Sequence, residues 1–219
     1  GAAAGLALAF VYSVACIELR ANIFVAGLAT NLLAAGLVPY ASALVFGTKG
    51  VVRLTGDPGF ARLAGVSVMV PAAVVLAGVV SVVLFRTPLG IRLRAVGGNP
   101  AALTARALEP NAYRRAAMLA SGLFAGFAGA EVSLRLGVYL PNISAGRGWI
   151  ALVAIFLGAR HPLGIVGAAA IFAFFESFAG AAQGFTEIPG TLLLGLPYLI
   201  TLAAMVLYSA LGRRSRIER

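Results

Sequence analysis

The side chains that could perform catalysis are few and lie far apart in the sequence. There is one histidine, His161, and one cysteine, Cys16, whereas nucleophilic catalysis needs a nucleophile beside a base. The acidic residues show no metal-ligand spacing and no paired arrangement; they are Glu18, Asp57, Glu109, Glu131, Glu176, Glu187 and Glu218. The sequence therefore predicts a protein that is not an enzyme, with no catalytic residues and no metal site.

ATP hydrolysis by this chain is excluded by a sharper argument. A phosphate-binding loop needs a glycine followed directly by lysine and then serine or threonine. The only lysine, Lys49, follows Thr48 instead. We therefore predict that the chain binds no cofactor and that any ATP is used by another subunit.

Four polar residues within or near long apolar segments are candidates for lining a solute pathway. A charge near the centre of a membrane helix costs roughly 2.5 to 3.5 kcal/mol, so Glu176 in IFAFFESFAG calls for an explanation. It either lines a polar pathway, forms a structural hydrogen bond between helices, or couples transport to protons. Glu131 and Arg135 are four residues apart, where they can neutralise each other as an interface anchor or meet a polar substrate. Asn31 is either an interhelical hydrogen-bonding group or a pathway residue.

The elements that hold these residues are predicted to be membrane-spanning helices. Hydrophobic residues make up 61% of the chain and charged residues 11%, with a mean hydropathy of +0.98, whereas soluble domains are about 25% charged. The apolar runs are about 20 residues long, which suits helices rather than barrel strands. We predict one all-α, polytopic transmembrane domain over residues 1–219 with six to seven segments, one of them a short or half-helix. The segments lie near 1–17, 22–46, 66–85, 116–137, 148–158, 164–181 and 190–211.

The basic residues predict an orientation in the plasma or inner membrane. The 17 Lys and Arg outnumber the 7 acids, and short basic connections remain in the cytoplasm. The C-terminal tail with Arg213, Arg214 and Arg216 and the long connection over residues 86–115 are therefore both expected to be cytoplasmic. The arginines lie between apolar spans and form no basic face with interleaved aromatic residues, so a nucleic-acid partner is not expected.

The connection over residues 86–115 contains a predicted short helix. Gly97, Gly98 and Asn99 form a turn, Pro100 suits the first position of a helix, and 101–108 continues with good helix formers. This helix either docks a partner protein or lies on anionic lipid.

A second pattern is a stripe of small residues that allows close helix contact; it consists of Ser121, Gly122, Gly126, Gly129 and Ala130, with Gly1 and Gly5 in the first segment.

Several blocks in order resemble the permease subunits of the simple-sugar and nucleoside branch of ABC importers, which are related to ribose and branched-chain amino-acid permeases. The blocks are ANIFVAGLATNLLAAGL, GIRLRAVGGNPAAL, SGLFAGFAGA, GRGWIALVAIFLGARHPLG and GLPYLITLAAMVLY. They cover nearly the whole chain. Because that family is longer at its N-terminus, the resemblance implies that one or more spans precede this sequence.

The resemblance implies a role for the cytoplasmic connection, where the family carries a helix that couples the permease to its ATPase. The matching residues are Arg94, Ala95, Val96, Gly97, Asn99, Pro100 and Ala101. The implied partners are ABC ATPase subunits, a second permease subunit in a homo- or heterodimer, an extracytoplasmic solute-binding protein and the lipid bilayer. The implied cargo is a nucleoside or simple sugar. An ion-coupled secondary transporter, a branched-chain amino-acid ABC permease and a non-transporting scaffold stay open as alternatives.

Overall fold

The computed structural model of the protein describes residues 1–53, 62–63, 66–140, 142–144 and 146–182. Helices dominate these residues, and the strands are only two residues long. In chain order the elements are α1 (Ala2–Ile17), α2 (Ile23–Phe46), β1 (Val52–Arg53), β2 (Arg62–Leu63), β3 (Val66–Ser67), α3 (Met69–Arg86), α4 (Pro88–Gly98), α5 (Ala101–Thr104), α6 (Pro110–Leu136), β4 (Val138–Tyr139), α7 (Arg147–Leu157) and α8 (Pro162–Ala182). β1 pairs antiparallel with β4, and β2 with β3.

The predicted transmembrane segments correspond to helices. α2, α3 and α6 are long and apolar enough to cross a membrane, and α1, α7 and α8 are shorter apolar helices. Their apolar side chains are widely exposed, for example Phe24 at 83% and Leu32 at 72%, as expected of surfaces that face lipid. The helical bundle class is thus confirmed. The predicted segment over 190–211 lies outside the described residues.

The fourth predicted segment begins earlier than its apolar run suggests. We expected it near residue 116, but α6 starts at Pro110. Proline fits the first position of a helix because its missing N–H would have no partner there. The preceding residue, Glu109, is extended, with φ −86° and ψ 110°, as the ring of a following proline requires.

The chain divides into two compact units. The first contains Gly1–Met69 and Val83–Ala145, and the second contains Val70–Val82 and the described residues from Gly146 onward. In the first unit α1 packs along α6 and against α2, while α4 packs against α6 and α5. In the second unit α7 packs against α8 around a small core of Ala154, Ala168 and Phe172.

Glycines allow α1 and α6 to pack with their backbones in contact. A Cβ atom on Gly5 would overlap the carbonyl oxygen of Gly122, and one on Gly122 would overlap the Cβ of Ala9. One on Gly126 would lie 2.6 Å from the carbonyl oxygen of Gly1. The predicted close contact of the small residues is therefore confirmed for these positions. Gly129 is different, since a Cβ there would meet nothing within 4 Å.

Candidate functional site

The segment that joins α4 to α5, which we call the α4–α5 corner (Arg94–Leu103), is anchored at two points and exposed between them. Val96 on α4 is 6% exposed and Leu103 on α5 is 3% exposed. The residues between these anchors are mostly exposed; the exposed ones are Gly97, Gly98, Asn99, Ala101 and Ala102. The corner therefore presents small side chains and backbone on an exposed surface, and the buried side chains of Val96 and Leu103 anchor the two ends of that surface.

The predicted helix over 101–108 is wrong in its extent. α5 ends at Thr104, and the chain turns at Ala107, whose φ of 56° is left-handed. The N–H of Leu108 then donates to the carbonyl of Leu103 at 3.0 Å, which closes the turn. After Thr104 the turns tighten, because the N–H groups of Arg106 and Ala107 donate to carbonyls three residues back, at 2.9 and 3.0 Å.

The predicted turn at Gly97 and Gly98 is also wrong, because both residues end helix α4. Thr87 caps this helix: its hydroxyl accepts a hydrogen bond from the Gly90 N–H at 3.3 Å, and Pro88 occupies the first turn. The N–H of Asn99 donates to the carbonyl of Ala95 at 2.8 Å and completes the last turn. The missed signal was this Thr–Pro pair at the start of α4.

The residues matched to the coupling role by resemblance divide by position. Gly97, Asn99 and Ala101 are exposed at the corner, Ala95 and Pro100 are half-buried, and Val96 is buried. The guanidinium of Arg94 lies 4.7 Å from the ring centroid of Phe85, a cation–π distance. The structure therefore brings the exposed residues of this set together on one surface, while Val96 and Arg94 hold α4 in place.

A cavity of about 1020 Å³, which we call the hydroxyl-lined cavity, lies among α1, α2 and α6 in the first unit. Its walls are mostly small and apolar, but they also carry hydroxyl groups, from Tyr12, Thr30, Ser42, Ser121, Ser133 and Tyr139. The sequence analysis missed these hydroxyls because five of them are ordinary residues in apolar helices, and Tyr139 belongs to the two-residue strand β4. These residues lie beside small residues on packed surfaces, and that neighbourhood is the sequence signal that could have identified them.

The candidate pathway residues of the first unit do not line this cavity. Asn31 is exposed on α2 beside Thr30, and within the described residues its amide forms no hydrogen bond. The carboxylate of Glu131 accepts a hydrogen bond from the Ser67 hydroxyl at 2.9 Å. Pairing of Glu131 with Arg135, one of the two alternatives above, is not formed: across the described ranges no salt bridge joins them, and the carboxylate contacts Ser67 instead.

In the second unit, Glu176 has a charged partner on the neighbouring helix. Its Oε1 lies 3.1 Å from Nη2 of Arg147, the first residue of α7, so the ion pair joins α7 to α8. The two side chains are 56% and 47% exposed. The pair gives Glu176 an interhelical contact, and its use in a pathway or in proton coupling stays a prediction.

In the described part of the chain, no group of three His, Cys, Asp or Glu residues converges on a metal position.

Replacing Glu176 with arginine is expected to lower the stability of the protein modestly, because it places two guanidinium groups at one contact. Both side chains are about half exposed, so we expect a loss of about 0.5 to 1 kcal/mol. The combined exchange of Glu176→Arg with Arg147→Glu should restore most of it. The stability of both variants is measured by thermal unfolding in detergent. A double variant no more stable than Glu176→Arg would show that the ion pair does not stabilise the protein.

Comparison with known proteins gives one family and several relatives. Residues 1–209 match the family described as "Branched-chain amino acid transport system / permease component". The guanosine ABC transporter permease protein NupQ of Bacillus subtilis is 30% identical over 224 residues, covering 93% of this chain and 69% of that protein. The nucleoside ABC transporter permease protein NupC of Lactococcus lactis is 31% identical over 225 residues, covering 95% of this chain and 71% of that protein. No solved structure matches the chain.

Proposed function

The chain belongs to the branched-chain amino acid transport system permease family, and from this premise we propose that it forms the membrane pathway of an ATP-driven nucleoside importer. The observation that carries the proposal is the similarity, along nearly the whole chain, to two permeases named for guanosine and nucleoside transport. The apolar helices agree with a multi-pass membrane protein. Such permeases act together with ATPase subunits and a solute-binding protein.

The α4–α5 corner is the proposed contact with the ATPase. Most of its exposed residues are small, and a Cβ at Gly97 or Gly98 would meet nothing within 4 Å of its own chain. A surface of this kind leaves room for a partner to approach the backbone closely. The burial of Val96 and Leu103 then joins the contact to the helices, so that movement of the ATPase reaches α6 through α4.

The proposed orientation places the corner and the C-terminus in the cytoplasm. Arg86 is the last residue of α3, Arg92 and Arg94 belong to α4, and Arg114 and Arg115 follow in the second turn of α6. This clustering of cations is typical of cytoplasmic membrane flanks. In this proposal the partner subunit hydrolyses ATP, and this chain contributes only the surface on which that subunit docks.

The solute pathway is proposed to form between two permease subunits, either identical or different. The cavity among α1, α2 and α6 contributes hydroxyl groups on an apolar wall, which suits a cargo that combines hydroxyl groups with an uncharged ring. Asn31, Glu131, Arg135 and Glu176 stay in the proposal as candidate pathway residues, with Asn31 one position from the cavity wall. A solute-binding protein on the outer face delivers the cargo.

A simple sugar, a branched-chain amino acid and ion-driven transport are the alternatives. A sugar shares hydroxyl groups with the ribose of a nucleoside, and a branched-chain amino acid agrees with the description of the family. Ion-driven transport requires an ionisable group whose charge changes within the membrane. Glu176 is the candidate for that role, and its contact with Arg147 favours a fixed charge instead.

Uptake by vesicles that contain the permease, its ATPase and its binding protein tests the proposal. We expect radiolabelled guanosine to accumulate only when ATP is present on the ATPase side, and an excess of unlabelled nucleoside to compete. Ribose and leucine serve as the matched alternative cargoes. Accumulation driven by an ion gradient without ATP would contradict the proposal, and uptake of leucine but not guanosine would replace the cargo.

A further inference from the structure

A second cavity, of about 740 Å³, lies among the ends of α1, α4 and α6 in the first unit. We call it the basic cavity. Its polar lining comes from Arg20, Asn111, Tyr113 and Arg114. It is separate from the hydroxyl-lined cavity, with which it shares only Met118.

The charge of the basic cavity is uncompensated within the residues that line it. Its lining includes two arginines and no acid. Among the residues that the structure describes, neither the Arg20 nor the Arg114 guanidinium forms an ion pair or a hydrogen bond. The nearest acid in sequence to Arg20 is Glu18, and its carboxylate is already paired with Arg115 at 2.8 Å. Two guanidinium groups with no ion-pair partner among the described residues therefore line one space.

The start of α6 adds to this positive potential. Asn111 and Tyr113 belong to its first turn, and no side chain caps that turn by a hydrogen bond. The free N–H groups of a first turn attract anions, and the helix dipole acts in the same direction. A third arginine, Arg92, donates from Nη1 to the Tyr113 hydroxyl at 3.2 Å, which places another cation at the edge of the cavity.

The remaining lining of the basic cavity is apolar. Ile17 at the end of α1, Ile23 at the start of α2 and Met118 on α6 line it together with the arginines. Ile17 and Ile23 lie at helix ends, and Met118 lies two turns into α6; helix ends correspond to the level of the membrane interface, where lipid headgroups meet acyl chains. A site with guanidinium groups on one side and aliphatic side chains on the other fits a phosphate attached to an apolar body.

We propose that the basic cavity binds a phosphate group, held by Arg20 and Arg114, and that an anionic phospholipid of the surrounding leaflet supplies it. Arginine pairs with phosphate through two parallel hydrogen bonds. Val96 and Gly97 also line the cavity, so a bound headgroup would brace the α4–α5 corner against α1 and α6. This binding does not depend on which cargo the permease carries.

Native mass spectrometry of the purified full chain tests this site. The protein is released from nanodiscs containing equal amounts of phosphatidylglycerol and phosphatidylcholine, and the lipids that stay bound are counted. We expect phosphatidylglycerol to be retained preferentially. Arg20→Gln and Arg114→Gln should each reduce its retention about fivefold. Arg106→Gln is the matched control, because Arg106 is exposed in the same connection and does not line the cavity.

The source of the phosphate is distinguished by a second measurement on the unchanged protein. Inorganic phosphate is added to protein in phosphatidylcholine nanodiscs, and binding is followed by the same method. Binding of inorganic phosphate with no preference for phosphatidylglycerol would support the phosphate site and overturn the lipid as its source. Equal retention of the two lipids and no phosphate binding would overturn the site. Loss of phosphatidylglycerol on Arg106→Gln equal to that on Arg114→Gln would also overturn it.

Discussion

Replacing Ala101 with glutamate is expected to abolish ATP-dependent uptake while leaving the protein folded in the membrane. Ala101 is exposed at the first turn of α5, where a carboxylate is compatible with the helix dipole. The chain itself therefore tolerates the change. A partner that packs closely on this small side chain would have to accommodate a buried charge, and central interface positions of this kind cost about 2 kcal/mol or more.

The matched control for this variant is Ala112→Glu, and the measurement is uptake together with solute-stimulated ATP hydrolysis in reconstituted vesicles. Ala112 is also an exposed alanine in a first helical turn, that of α6, and lies outside the α4–α5 corner. We expect the control to retain uptake and Ala101→Glu to lose it by more than tenfold. Unchanged uptake in Ala101→Glu would remove the corner from coupling. A second test uses the variant Arg106→Cys in a Cys16→Ala background. Labelling of this cysteine by a reagent that reaches only the outer side of the membrane would also remove the corner from coupling.

Replacing Gly122 with leucine is expected to prevent α1 and α6 from packing, with the largest loss of stability of any change considered. A Cβ at this position would overlap Ala9 and lie 2.6 Å from the carbonyl oxygen of Gly5. Backbone atoms cannot move aside as a flexible side chain does, so the helices must separate. Overpacking typically costs 1 to 3 kcal/mol, and we expect about 3 kcal/mol or more here because helix backbones are in contact.

Gly129→Leu on the same helix is the control for Gly122→Leu. A Cβ at Gly129 meets nothing within 4 Å, so its thermal unfolding in detergent should match that of the unchanged protein. Fluorescence-detected size-exclusion chromatography after heating measures both variants. Since Gly129 lines the hydroxyl-lined cavity, transport is not the readout for this control. Equal stability of Gly122→Leu and Gly129→Leu would contradict the close packing of α1 on α6.

The long helices were predictable because hydrophobic runs of membrane length allow few other structures. α4 was missed, since Arg92 and Arg94 interrupt its apolar residues and Gly97 and Gly98 suggested a turn. The small-residue stripe predicted contact, yet only geometry separates Gly122 from Gly129. Periodicity indicates which face is small but not which residue of that face meets a backbone.

The polar contacts were largely unpredictable because they join residues far apart in the chain. The hydroxyl of Ser67 reaches Glu131 from 64 positions away, and Arg147 reaches Glu176 from 29. Local spacing instead favoured pairing of Glu131 with Arg135, which the structure does not form. The proposed coupling residues came from the resemblance, and the geometry adds that Val96 is buried while Ala101 is exposed.

The two buried anchors of the α4–α5 corner have a mechanical consequence. A loop anchored at one point would absorb an applied force by bending. The α4–α5 corner has a buried side chain at each end, Val96 and Leu103, so it is expected to transmit the force. α5 contacts α4, α4 contacts α6, and α6 packs against α1, so a force applied at Ala101 is expected to reach α6 through α4. If the ATPase binds this corner as proposed, its movement is therefore expected to displace α4, α6 and α1 together.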